Sequence, residues 1–210
     1  MSSPSRRPYV STRRAAGAAA TRTAILDAAL AAFRDDGYAA STIEAIAAAA
    51  AVSPKTVYAV FGNKRRLLSA VLDRAIAGDE LPVAILDRPW VDEMRDQPDV
   101  AVRLAILARE GAAILARRAD VDAVIARAAI VDAEVATLAA TTADQRRAGQ
   151  AALLRIALSP DPVGDDDVDA LAAIGSPEVH RSLVADRGWS EARFAAWYRT
   201  TLVRLFLPGD

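Results

Sequence analysis

Lys55, Thr56 and Tyr58 fall within about one turn of the stretch VSPKTVYAVFGNK, and Lys64, Arg65 and Arg66 follow six residues on. Lys55 and Lys64 are the only lysines in the chain. Ammonium, hydroxyl and phenol groups at this spacing are suited to phosphates and base edges rather than to making bonds. Bond-making chemistry has little to draw on elsewhere. There is no cysteine, one histidine and no Gly-rich phosphate loop, and no pair among the dispersed Asp, Glu and Arg has a suggestive spacing. No catalytic residue, metal site or cofactor is expected, and His180 is expected at a surface or an interface.

The elements that position these groups can be read from the caps. Ser53 is a good N-cap and Pro54 suits a first helical position, so a helix opens there. The helix before it is expected from about Thr42, with Ser41 and Glu44 at the spacing of a capping box and Ile43, Ile46, Ala47 and Ala50 inward. Two short helices joined by so tight a link cross steeply, as in a helix-turn-helix. Val57 and Phe61 should pack inward with Val60 assisting, which leaves Lys55, Thr56, Tyr58 and Ala59 outside. Gly62 and Asn63 then close this helix and cap a fourth, Lys64 to about Ala77. Its basic first turn opposes the macrodipole unless an anion such as a DNA phosphate arrives. Upstream, Ile25, Leu26, Ala29, Leu30 and Phe33 mark a first helix over Thr23–Asp36, stopped at Gly37. Residues 1–20 have no usable apolar face and are expected as a mobile basic arm.

Charge divides the chain in the same way. Residues 1–76 carry eleven Lys and Arg against five Asp and Glu, whereas the whole chain has a net charge of -1, so the remainder is acidic. Only the first part is expected to meet a polyanion. With 53% hydrophobic and 25% charged residues and no alternating apolar pattern, the protein is expected to be all-α. Charges interrupt every apolar stretch and no secretory signal is evident, which predicts a cytoplasmic protein with no membrane partner. Beyond Ala77, an irregular passage around Pro82 and Pro89 is expected. A long helix opened by Pro98 follows, ending near Arg117 and Arg118, then a short helix to about Ile130. A longer one runs to about Leu158, interrupted at Thr141 and Thr142. Closing helices are expected at about 177–187 and 190–207, apolar on more than one face and so in need of a second partner.

The stretch TRTAILDAALAAFRDDGYAASTIEAIAAAAAVSPKTVYAVFGNKRRLLSAVLD, Thr21–Asp73, resembles the DNA-binding part of the tetracycline-repressor (TetR) family of bacterial transcription regulators. The resemblance rests on Ile25, Ala28 and Phe33, Gly37 with Tyr38, Ser41 with Thr42, Ile46 with Ala47, Val52 with Ser53, Tyr58 with Phe61, and Lys64 with Leu67 and Leu68. It departs from the family at Ala51, where a glycine is usual. The resemblance implies a helix-turn-helix domain over 21–76 and a ligand-binding and dimerisation domain over 77–210. It implies DNA contacts by Thr42, Lys55, Thr56, Tyr58 and Lys64, with Ser53 counted beside them and Tyr58 and Lys64 on phosphates. It further implies a homodimer through the C-terminal helices on palindromic double-stranded DNA, and release by a small-molecule effector, commonly a mostly apolar one. Trp90, Met94, Leu107 and Glu110 are expected to wall its cavity. A helical protein-interaction module that never touches DNA is the alternative, since short helix pairs also occur as plain structure.

Overall fold

The computed structural model describes the backbone of residues 9–207 and the side chains of residues 15–207. Every regular element among them is helical. In order they are α1 (Tyr9–Asp35), α2 (Ile43–Ala49), α3 (Pro54–Phe61), α4 (Lys64–Ala77) and a 3₁₀ turn (Ile85–Asp87), then α5 (Pro89–Asp96), α6 (Val100–Ala128), α7 (Ala133–Leu158), α8 (Asp165–Ile174), α9 (Pro177–Val184) and α10 (Glu191–Phe206). No single helix is long and apolar enough to cross a membrane. Two compact units emerge, Met1–Val71 and Leu72–Asp210, so the division falls inside α4 rather than after Ile76.

In the first unit, Ile25, Leu26, Ala29 and Phe33 of α1, Ile46 and Ala47 of α2, Val57 and Phe61 of α3, and Leu67 and Leu68 of α4 are buried, with α1 packed on α2 and α2 on α3. α1 begins at Tyr9, not at Thr23, so residues 9–20, expected as an arm, are helical; residues 1–8 lie outside the described residues. Ala15 to Ala20 are exposed, and alanine's high helix propensity continues the helix past the part that has a buried face. Ser41 does not form the expected capping box. Its side chain is buried, with Oγ 2.7 Å from the Gly37 carbonyl and 3.0 Å from that of Ala32. Thr42 caps α2 instead, accepting from the Ala45 N–H at 3.1 Å.

α2 and α3 turn through 106°. The turn is made at Ala51, whose φ of 55° is left-handed, while the Val52 N–H donates to the Ala47 carbonyl. Val60, expected inward, is 43% exposed; eight residues of helix supply only one narrow buried stripe, and Val57 and Phe61 fill it.

In the second unit, α6 is the central helix, packed by α5, α7, α9 and α10. It runs unbroken through Asp120, where a boundary was expected, because Val121, Val124 and Ile125 continue its buried stripe. α7 is likewise continuous through Thr141 and Thr142, whose hydroxyls donate to the carbonyls four residues back and so stay within the helix. The expected irregular passage contains α5, whose Val91 and Met94 are fully buried. His180, expected at a surface or an interface, is buried within the chain, with Nε2 2.9 Å from Glu191 Oε2 and its ring edge-on to Phe194.

Two substitutions check this packing. Ala51→Gly is expected to stabilise the protein by about 1 kcal/mol in urea unfolding, because the left-handed penalty outweighs the entropy glycine adds to the unfolded chain. Gly175→Ala is expected to destabilise by about 1–3 kcal/mol, since its Cβ would lie 2.6 Å from the Tyr198 hydroxyl and 3.0 Å from the Leu171 carbonyl oxygen.

Candidate functional site

The outward face of α3 is built by its caps. Ser53 Oγ accepts from the Thr56 N–H at 3.1 Å, and the two hydroxyls are 2.9 Å apart, which fixes both side chains at the helix start. Lys55 is exposed, Tyr58 is 48% exposed, and Thr56 is half-buried; Ala59 and Val60 complete the open side. Thr42, at the start of α2, is exposed but holds its own helix end through Oγ1. One helix therefore presents Lys55, Thr56 and Tyr58 outward while Val57 and Phe61 anchor it. An unburied helix that carries a cation and hydroxyl donors and is braced by a second helix at a steep angle has the form that enters a major groove. Arg22 stacks over the Phe61 ring at 4.7 Å, covering the inner end of the same helix.

Lys64 is placed differently from the expected phosphate contact. Its ammonium donates to the carbonyls of Tyr38 at 2.7 Å, Ser41 at 3.0 Å and Ala39 at 3.4 Å, and lies 4.4 Å from the Tyr38 ring centroid. The three donors of a lysine match these three acceptors. Lys64 thus fastens the loop between α1 and α2 to the start of α4, and the carbonyls supply the negative pole that its position on the helix lacked. Asn63 caps α4 by accepting from the Arg66 N–H, and Arg66 is left exposed.

The second unit contains a pocket of about 410 Å³. Trp90 and Glu110 line it; Met94 and Leu107 do not, being buried in the core of the unit. Arg88, Glu93 and Arg117 line it too, with Ile76, Ile85 and Ile114 as apolar wall. These were not singled out in the sequence, although Glu110, Ile114 and Arg117 have the spacing of one α6 stripe. Arg117 does not serve the C-terminal end of its own helix, which lies further on. Its Nε and Nη2 donate to the Ala75 and Ile76 carbonyls at 3.1 and 3.2 Å, capping the last turn of α4. Arg118 instead makes a two-pronged bond to Asp122 at 2.7 and 2.8 Å. Arg88 grips Asp79 through Nη1 and Nη2, and this bond, with the Leu81 N–H, holds the Asp79 carboxyl below its usual range. Glu93 and Glu110 both accept from Arg109, at 3.0 and 2.9 Å, which raises the Arg109 guanidinium.

No curated protein matches the chain. Among solved structures, a Rhodococcus sp. protein named as a TetR-family transcriptional regulator is similar at 16% identity and TM-score 0.65, over 89% of this chain and 98% of that one. The fatty acid degradation regulator FadR from Bacillus halodurans is similar at 16% identity and TM-score 0.61, over 90% and 99%. A Saccharomonospora viridis protein named as a transcriptional regulator, solved in complex with choline, is similar at 20% identity and TM-score 0.59, over 87% and 95%. At these identities the likeness is one of fold. The sequence profile described as "Bacterial regulatory proteins, tetR family" matches residues 25–71, the segment that carries α2, α3 and their capping residues.

Proposed function

We propose that this DNA-binding transcriptional regulator is a ligand-released repressor, which reads a palindromic duplex as a homodimer. The observation that carries the reading is the outward face of α3, where exposed Lys55 and Tyr58 flank Thr56 on a helix anchored by buried Val57 and Phe61. Lys55 meets a phosphate or a guanine edge, Tyr58 donates to a phosphate, and Thr56 with Ser53 lies at the helix end nearest the bases. Thr42, at the start of the supporting helix, contacts backbone phosphate. Lys64 acts by holding the loop of residues 38–41 against α4, so that α2 and α3 keep their angle.

A homodimer matches a palindrome because two reading helices about 34 Å apart meet successive major grooves on one side of the duplex. Exposed Leu205 and half-buried Trp197 and Val203 on α10 support pairing through the C-terminal helices, among exposed Arg199, Thr200 and Arg204. The pocket bounded by α4, α5 and α6 takes the effector. The effector shifts the equilibrium by the difference in its affinity for the DNA-competent and released states.

Anisotropy titrations with duplex DNA over a range of salt check the assignments. Lys55→Ala is expected to reduce the log-log salt slope by about one. Tyr58→Phe is expected to weaken binding across all sequences by about 1 kcal/mol with no change of slope. Lys64→Ala is expected to lower unfolding stability by about 1.5–3 kcal/mol and DNA affinity with it, again at unchanged slope. Sedimentation of the same protein is expected to give twice the chain mass. A monomer that binds no duplex at low salt leaves the protein-interaction reading.

A further inference from the structure

Glu110, Ile114 and Arg117 form one stripe of α6, two turns and about 10 Å of rise from end to end, and all three line the pocket. The ends of this stripe differ in charge, and neither charge is fully compensated. At the acidic end, Glu93 and Glu110 share a single cation, the half-exposed Arg109, so these three groups keep one negative charge in excess. At the other end, the hydrogen bonds of Arg117 go to neutral carbonyls of α4. The nearby Asp79 is already committed to Arg88 and acts on Arg117 only at longer range. Between the two ends lie Ile76, Ile85, Trp90 and Ile114. A wholly apolar molecule filling this space would strip water from Glu110 and Arg117 without replacing it, which is unfavourable at both ends. A simple cation or a simple anion would satisfy one end and leave the other desolvated.

We propose that the pocket takes a small zwitterion. Its ammonium lies against Glu93 and Glu110, its apolar body along Trp90 and Ile114, and its carboxylate on Arg117, where it competes with the last carbonyls of α4 for the guanidinium. The proposal rests on the effector reading given above and names the effector's chemical class. A carboxylate is the better partner for Arg117, since charge-assisted, two-pronged bonds are stronger than bonds to amide carbonyls. Once Arg117 is drawn away, the Ala75 and Ile76 carbonyls lose their cap and the positive charge that favours a helix C-terminus. Binding therefore loosens the final turn of α4, and the ligand gains affinity for whichever state no longer needs that turn.

The experiment uses the full chain and the ω-amino acids from aminobutanoate to aminooctanoate. Each is titrated by calorimetry beside the alkylamine and the alkanoate of the same chain length. At least one amino acid is expected to bind saturably and at least about tenfold more tightly than both matched probes. Glu110→Gln is expected to abolish the advantage over the alkanoate, and Arg117→Lys, which keeps the charge but not the fork, to reduce the advantage over the alkylamine. Saturable binding by an amine or an acid as tight as its amino acid overturns the proposal, as does the absence of saturable heat across the series. The same preparations are titrated with duplex DNA at low salt, with and without the tightest amino acid. DNA binding without amino-acid binding overturns this inference alone, and loss of both overturns the regulatory reading too. Amino-acid binding that leaves DNA affinity unchanged overturns the competition for Arg117.

Discussion

A long cationic side chain seated on backbone carbonyls is the interaction on which this fold most depends. Among the described residues, three such side chains each engage two or more carbonyls. Lys64 gathers the carbonyls of residues 38, 39 and 41. Arg103, buried on α6, donates to the Ala157 carbonyl at 2.8 Å and to that of Ser159 at the end of α7, and to the Gln97 carbonyl at the end of α5. Arg117 caps the end of α4. In a chain so rich in alanine, helices form readily, but many of their side chains bury little area and fix little about how the helices meet. Cations on helix ends supply what small side chains cannot, a directional bond at a defined place. Arg103 and Arg117 also meet the need of helix-end carbonyls that have no partner within their own helix.

The same economy explains the buried charges of the second unit. Arg118 is almost wholly buried, and its bond to Asp122 does not restore that carboxyl to its ordinary range, because burial pushes the Asp122 pKa up more than the arginine pulls it down. Arg146 faces the same cost. Burial and the proximity of Arg118 lower it, and its Nε is without a hydrogen-bond partner. A grouping of this kind adds little to stability and favours one arrangement of α6 and α7 over sliding alternatives, since a shift of register would part Arg146 on α7 from Asp122 on α6.

The helix-turn-helix was legible because local chemistry writes it. Ser53, Pro54, Gly62 and Asn63 act within four residues of themselves, and the structure finds each at the helix end where its type belongs. Val60 was misjudged because a short helix has too few turns for periodicity to separate one stripe from its neighbour. Ser41 was misjudged because its hydroxyl reaches back to Ala32, a contact that capping rules do not contain. In the second unit Asp120 and the threonines of α7 looked like breaks, but tertiary burial on α6 and hydroxyl bonds to preceding carbonyls on α7 carried the helices through. The pocket was half legible. Trp90 and Glu110, expected as cavity walls from the resemblance, line it, but the convergence of Ile76, Ile85, Arg88 and Arg117 joins segments up to 41 residues apart and leaves no local trace. Met94 and Leu107 had the right chemistry for a wall and were taken by the core instead.

The scarcity of lysine has a practical consequence. Every cation of the second unit is an arginine, and of the two lysines in the chain one is engaged by three carbonyls while the other stands exposed on α3. Reagents that acylate primary amines under mild conditions will therefore modify Lys55 ahead of any other side chain. Among side chains, a dye or spin label can thus be directed to α3 of the unaltered polypeptide, with no engineered cysteine.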